Sequence, residues 1–286
     1  MARNRNLVNP VRAATMRKWY ARAWWVGVHV YGYVVLGIKG ALSPKVLSTT
    51  QFVLDLVVAL ATIGCYVVLQ SATPTGLGIP FQASVEDGDD TELLADGTEN
   101  EHPRNSADLH FCNKCHVFQP LRTKHCKDCA RCTRQYDHHC DCVGTCVGKN
   151  NRRLFVLYLF LQILEGVVMI QVTSSAFSEE DDINDWLKIN ALYIVVWFMI
   201  ICMLLIVVPL FCYQAFLIST NQTSWEHARR SSITYLQNLP DKHSPFDRGI
   251  FQNWWVFISN GDGNQWVHPS VAKPMTSHHD DASTLV

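Results

Sequence analysis

Long apolar runs separated by polar stretches set the first reading of the chain. Four stand out. They are Trp24 to about Leu42, then QFVLDLVVALATIGCYVVLQ (Gln51 to Gln70), then LFVLYLFLQILEGVVMIQV (Leu154 to Val172), and finally Ala191 to about Leu217, with YIVVWFMIICMLLIVVPLF at its heart. Each is long enough to cross roughly 30 Å of hydrocarbon as a helix. Lys39 and several glycines interrupt the first. No cleavable leader is expected, because the segment before the first run is too polar, and that run would itself direct insertion. The pattern predicts an α-helical integral membrane protein with four transmembrane helices. A small cysteine-rich module lies between the second and third.

Charge orients the spans. Six Lys/Arg precede the first run, two lie between the first and second, ten lie between Arg104 and Arg153, one lies between the third and fourth, and five follow the fourth. A cytosolic N-terminus places 21 of the 24 positive charges on the cytosolic side, which the positive-inside rule favours. Both termini are then cytosolic. The acidic stretch SEEDDINDW, Ser178 to Trp186, is lumenal or extracellular. The sequon Asn221-Gln222-Thr223 faces the cytosol and stays unmodified. A net charge of -1 implies neither a nucleic-acid partner nor an acidic substrate.

The chain divides accordingly into a cytosolic N-terminus (1–22), spans one and two (23–71), an acidic linker (72–108), the cysteine-rich module (109–153), spans three and four (154–217) and a cytosolic tail (218–286). The run EDGDDTELLADGTENE makes the linker read as disordered. In the tail, TSWEHARRSSITYL predicts a helix capped by Thr223 or Ser224. The aromatics of SPFDRGIFQNWWVF suit a membrane interface, and MTSHHDDASTLV reads as disordered. No internal repeat is apparent.

Eight of the eleven cysteines lie between Cys112 and Cys146. In a cytosolic module, thiols stay reduced and metal sites are favoured over disulfides. The spacing Cys112-x2-Cys115, then His125, then Cys126-x2-Cys129-x2-Cys132, then His139 and Cys146 supplies six cysteines and two histidines. That set satisfies two tetrahedral zinc ions. Cys65, Cys202 and Cys212 lie in the spans and read as small apolar residues. The stretch DHHCDCVGTC, residues 137–146, holds more than a metal needs. His138 and Cys140 are two apart, so an extended strand would point both to one side. They could form a histidine–thiolate pair oriented by Asp137. Alternatively, Cys140 is a substitute ligand and His138 a surface residue. Spacing leaves both open.

Cys112-x2-Cys115, followed by QPLRTKHCKDCARCTRQYDHHC and CVGKNNRRLF, resembles the DHHC cysteine-rich domain of protein S-acyltransferases (palmitoyltransferases) over about residues 109–155. The tail motif Thr223-Ser224-Trp225-Glu226 fits the family's TTxE signature, and the stretch around Asn253 resembles its C-terminal aromatic element. The resemblance implies that Cys140 attacks a fatty acyl-CoA, with His138 as base and Asp137 orienting it. It implies one structural zinc on Cys112, Cys115, His125 and Cys132, and another on Cys126, Cys129, His139 and Cys146. The chain would pass from acyl-Cys140 to juxtamembrane cysteines of cytosolic or membrane-attached proteins, at a Golgi or ER membrane. Membrane lipid is a further partner and nucleic acid is not. Four departures are visible. Asp141-Cys142 stands where the family usually has Pro-Trp, Gly144-Thr145 where Asn-Asn or similar precedes the next cysteine, ATPTG where Asp-Pro-Gly follows span two, and Ser224 replaces a threonine. The alternative function is a catalytically weak, DHHC-like membrane scaffold.

Glu165 lies near the middle of span three, with Gln162 on the same helical face. A carboxylate there costs ~2.5–3.5 kcal/mol or more unless it faces the bundle. It is a candidate acyl-cavity residue or a neutral carboxyl bonded to another helix. Asp55 is expected to reach the lumenal boundary of span two.

Overall fold

A computed structural model describes residues 10–42, 47–72, 110–237 and 244–261. The acidic linker, but for its first residue, and the end of the tail lie outside the described residues.

Helix α1 runs Pro10–Ile38. It starts upstream of the first apolar run, through a stretch whose Arg, Lys and Ala residues are good helix formers. Proline suits a first helical position, where its missing N–H has no partner to lose. Helix α2 is Thr49–Ser71, opened by a reciprocal Ser48–Gln51 capping box. Helices α3 (Arg152–Ser175) and α4 (Ile183–Ser219) follow the cysteine-rich module. Among the described residues, α2, α3 and α4 are long and apolar enough to cross a membrane. Helix α1, rich in Trp, Tyr and Gly, is not among them. Helix α4 is longer than the fourth apolar run because Asp182 caps it, accepting from the amides of Asn184 and Asp185. Part of the acidic stretch is therefore helical.

Helix α3 packs between α2 and α4, and α1 lies against α4. Two apolar clusters fill the bundle. Val35, Leu36, Met169, Val172, Tyr193 and Val196 form the one remote from the module. Tyr66, Leu69, Val143, Val147, Phe155 and Tyr158 form the one beside it. Asp55, in the second turn of α2, is buried, and its Oδ2 has no partner among the described residues.

The module consists of three antiparallel hairpins. Strands β1 (His110–Cys112) and β2 (Val117–Gln119) pair, as do β3 (Lys124–Cys126) with β4 (Arg131–Thr133), and β5 (His138–Cys140) with β6 (Thr145–Val147). The hairpins start at 110, 124 and 138, and every cross-strand pair recurs at that spacing of 14. Each turn has one residue at positive φ in the same place: His116, Ala130 and Gly144. The expectation of no internal repeat is thus corrected. The tail then forms α5 (Ser224–Arg229), a 3-10 turn, α6 (Thr234–Gln237) and α7 (Ile250–Ser259).

Candidate active site and metal centres

The hairpin repeat explains how the ligands interleave. The first hairpin supplies Cys112 and Cys115, and the second returns His125 and Cys132 across one cross-strand pair. The second hairpin supplies Cys126 and Cys129, and the third returns His139 and Cys146 across the equivalent pair. All ligand atoms of a set lie within 4.8 Å of one another. The Nδ1 of His125 is 3.1 Å from the Cys115 sulfur, and that of His139 is 3.3 Å from the Cys129 sulfur. Four such atoms around a centre match the tetrahedral demand of zinc with sulfur and imidazole donors. Buried thiols gathered this closely have no apolar reason to cluster, so the residues fit a metal. Both sets are closed, with no position left for chemistry. Asp141 stands 3.5 Å behind His139 Nε2, where a carboxylate steadies a metal-binding imidazole.

Cys140 holds the place in the third hairpin that Cys112 and Cys126 hold in the first two. Val143 holds the place of Cys115 and Cys129, and among the described residues no fourth hairpin follows to return a histidine and a cysteine. Cys140 is therefore the metal-binding thiol left without a metal. Strand β5 places it two residues from His138, on one face, with His139 turned to the other and its ligand set. Cys140 is half-buried against Phe155 and the apolar cluster at the ends of α2 and α3.

His138 Nδ1 lies 2.7 Å from Oδ2 of Asp137, and the His138 ring sits edge-on to Phe155. This bond uses Nδ1 and leaves Nε2 as the second imidazole nitrogen. Asp137 is fully buried and fully bonded. Its Oδ2 also accepts from Gln214 Nε2 at 3.0 Å and Ser224 Oγ at 2.7 Å. Its Oδ1 accepts from the Ser224 amide at 2.9 Å and faces Arg152 Nε at 3.3 Å. Burial alone would push this carboxyl up. Arg152, His138 and the Ser224 amide instead hold it well below the usual carboxylate range.

Cys142 is exposed at the hairpin tip. The neighbouring Cys142 thiol, with burial, holds the Cys140 thiol well above its ordinary value. A proton is thus retained on Cys140 until a base removes it. The nearby amides of Val143 and Cys142 work in the opposite direction.

The tail residues hold this arrangement from behind. Thr223 caps α5, and Glu226 returns a bond to the Thr223 amide at 2.8 Å. Glu226 also takes both forks of Arg122, from Nε and Nη2, at 2.7 Å each. Asn253 in α7 donates to the Ser219 carbonyl at the end of α4 and to Asp247. Arg122, Arg152 and Gln214 were not foreseen as site residues. Each works across a long sequence separation, and no local pattern marks them.

Two clefts complete the picture. One is basic, lined by Arg122, Lys149, Arg152 and Arg153 with Asn253. The other is apolar and lies between α1, α3 and α4. Glu165 lines it, accepting from Tyr33 at 2.7 Å and from Gln162 at 3.2 Å, with His29 at 3.7 Å.

Comparison with known proteins follows the same residues. The family model for the DHHC palmitoyltransferase matches residues 105–231. The chain is 39% identical over 161 residues to "Putative ZDHHC-type palmitoyltransferase 7" of Dictyostelium discoideum, covering 55% of this chain and 36% of that one. It is 38% identical over 146 residues to "Protein S-acyltransferase 10" of Arabidopsis thaliana, covering 50% and 41%. It is 30% identical over 158 residues to "Palmitoyltransferase ZDHHC12" of Homo sapiens, covering 55% and 58%. The chain therefore spans between about a third and three fifths of these relatives' own length.

Proposed function

Because the DHHC palmitoyltransferase family model matches residues 105–231, we propose that the chain is a member of that family and an integral-membrane protein S-acyltransferase. It moves a fatty acyl chain, typically palmitoyl, from acyl-CoA to cysteines of protein substrates through an acyl-Cys140 thioester. The observation that carries this reading is the Asp137–His138 bond beside a Cys140 that no metal claims, packed on an apolar cluster.

The steps follow from the chain's own groups. Asp137 fixes His138 with Nδ1 engaged. His138 Nε2 takes the proton that Cys140 holds. The Cys140 thiolate, steadied by the amides of Val143 and Cys142, attacks the thioester carbon of acyl-CoA. The carbon–sulfur bond to CoA breaks, and His138 returns the proton to the departing CoA thiolate. A substrate cysteine, deprotonated by the same imidazole, then takes the acyl group and frees Cys140. The kinetics are two-step. Zinc, when bound by the two ligand sets, fixes the hairpins and so the strand that carries His138 and Cys140.

The acyl chain lies along the apolar clefts of the bundle, where each buried methylene contributes ~0.8 kcal/mol. The basic side chains of the cleft shared by Arg152 meet the CoA phosphates. Four spans, with α1 the first, place both termini and the hairpins in the cytosol at a Golgi or ER membrane. Substrates are cytosolic or membrane-attached proteins with a juxtamembrane cysteine, and no nucleic acid is involved.

The test is autoacylation of the purified chain in detergent with a clickable palmitoyl-CoA. A hydroxylamine-sensitive label that disappears in Cys140→Ser is expected. A zinc-loaded wild type that takes no label would favour the second reading, a DHHC-like scaffold, which the loss of the usual Pro-Trp at Asp141-Cys142 motivates.

A further inference from the structure

Three polar rungs tie α1 to α3, about one per helical turn. Trp25 Nε1 donates to Tyr158 Oη at 2.8 Å, Gln162 Nε2 lies 3.4 Å from His29 Nε2, and the Tyr33 hydroxyl donates to Glu165 at 2.7 Å. The rungs advance in the same direction on both helices, and each set of residues shares one helical face. The second and third rungs border the apolar cleft between α1, α3 and α4, through His29, Tyr33 and Glu165. The first rung does not line it. Trp25 packs instead on the apolar cluster that also receives Cys140, and its indole stacks on His29 at 3.9 Å. Trp25 therefore stands between the thiol and the cleft. Its indole also stacks on Tyr66 of α2 at 4.0 Å, and Tyr66 donates to the Cys142 carbonyl at the hairpin tip at 3.1 Å. The depth can be read along α1. Lys18 lies against Gly144 at that same tip, where a Cβ would meet its side chain at 2.9 Å. Trp25 is one heptad further along the helix, a rise of ~10 Å. An octanoyl chain on Cys140 ends at about that level. A palmitoyl chain is longer and has to pass the indole to enter the cleft.

We propose that Trp25 is a gate that sets which acyl chains load on Cys140: a long chain reaches the cleft only when the indole swings off Tyr158. The proposal rests on the acyltransferase reading above. It concerns the route of the chain and leaves the bond chemistry at Cys140 as described. The latch is the bond from Trp25 Nε1 to Tyr158 Oη. Opening the gate breaks that bond and parts the indole from Tyr66 and His29, a small set of contacts that can break and reform in each turnover. Methylenes that enter the cleft beyond the indole offset part of that loss, because they leave water for an apolar wall. A chain too short to pass Trp25 neither opens the gate nor gains from the cleft. Weakening the latch therefore favours long chains over short ones.

The experiment loads Cys140 of the full chain in detergent from octanoyl-CoA and, separately, from palmitoyl-CoA. Loading is followed by mass, and its efficiency is the maximal rate divided by the half-saturating concentration. Tyr158→Phe removes the latch oxygen and keeps the ring. Its palmitoyl-to-octanoyl efficiency ratio is expected to rise about three- to tenfold over wild type, the worth of one hydrogen bond. Trp25→Leu, which clears the passage, should raise the ratio at least as far. Each variant is checked for wild-type zinc content. A ratio unmoved or lowered in Tyr158→Phe overturns the gate and leaves the acyltransferase reading intact. A lowered ratio in Trp25→Leu also overturns it, because the indole would then be a wall on which the long chain rests. If Trp25→Leu fails to fold, Tyr158→Phe, which loses a single oxygen, decides alone. No label from either acyl-CoA on zinc-loaded wild type overturns the reading on which the gate rests, and the gate with it.

Discussion

The Ser224 hydroxyl and the Ser224 amide hold the two oxygens of Asp137 separately, at 2.7 Å on Oδ2 and 2.9 Å on Oδ1. One tail residue thus fixes the plane of the buried carboxylate on which His138 rests. Ser224→Ala removes the hydroxyl and keeps the amide, Gln214 and Arg152. A lost hydrogen bond to a charged group is worth about 1.5–3 kcal/mol, and the remaining donors place the effect at the low end. Autoacylation of Cys140 is expected to slow about tenfold, which corresponds to roughly 1.4 kcal/mol. Ser224→Thr keeps the hydroxyl and should restore the rate. Wild-type speed in Ser224→Ala would show that the bond positions nothing. Asp137 is held below the usual carboxylate range. It therefore stays ionised from about pH 5 to 8, and any acid limb in that window belongs to another group.

Adjacent histidines should separate metal from chemistry. His139 belongs to the second ligand set with Cys126, Cys129 and Cys146, whereas His138 bonds Asp137. His139→Ala is expected to lose about one of two zinc ions, along with Cys140 labelling. His138→Ala should keep both zinc ions and lose labelling by about 100-fold or more, the usual worth of a positioned general base. Zinc measured by elemental analysis, beside acylation rate, reads both. Loss of zinc from His138→Ala would assign it to the metal and remove the base from the mechanism.

The metal ligands were legible because zinc knuckles keep two residues between their paired cysteines. Their grouping was not legible from spacing and came from the resemblance. The repeat of 14 escaped notice because its three copies differ at the chemically loud positions: Phe111 stands for His125 and His139, Phe118 for Cys132 and Cys146, and Val143 for Cys115 and Cys129. Apart from the cysteine shared as Cys112, Cys126 and Cys140, it is the backbone, with its recurring positive φ, that keeps the pattern. The polar shell around Asp137 was equally invisible. Gln214 comes from the end of α4 and Arg152 from the start of α3, and no local spacing relates them to residue 137. The apolar runs gave the helices but not their ends. Those ends were decided by caps such as Asp182 and by helix-forming polar residues before Trp24.

Arg122 and Glu226 form a bidentate pair with both side chains about 2% exposed, further covered by the Tyr235 hydroxyl and the Phe246 ring. Breaking such a pair leaves a buried charge alone, which costs about 3–5 kcal/mol. Arg122→Met is expected to lower the unfolding temperature in detergent strongly and to loosen the tail from the hairpins. The double change Arg122→Met with Glu226→Gln should recover part of the loss, because no lone charge remains. Equal destabilisation in the single and double variants would show that the charge pairing itself contributes little.

Tyr33 and Glu165 close a polar contact inside an otherwise apolar cleft, 2.7 Å apart and supported by Gln162 and His29. A chain entering this cleft meets polar groups partway along the bundle, where methylenes gain little. Glu165→Leu removes the acceptor and extends the apolar wall. Two further methylenes would then find apolar surroundings, at ~0.8 kcal/mol each. The preference for stearoyl over palmitoyl in Cys140 loading is expected to rise, by up to about tenfold. Competition between the two acyl-CoAs, read as the mass of the acylated Cys140 peptide, gives the ratio directly. Tyr33→Phe, which keeps the ring and drops the hydroxyl, should shift the ratio in the same direction by less, because the carboxyl stays. An unchanged ratio in Glu165→Leu would return Glu165 to a purely helix-bridging role and place the acyl chain elsewhere in the bundle.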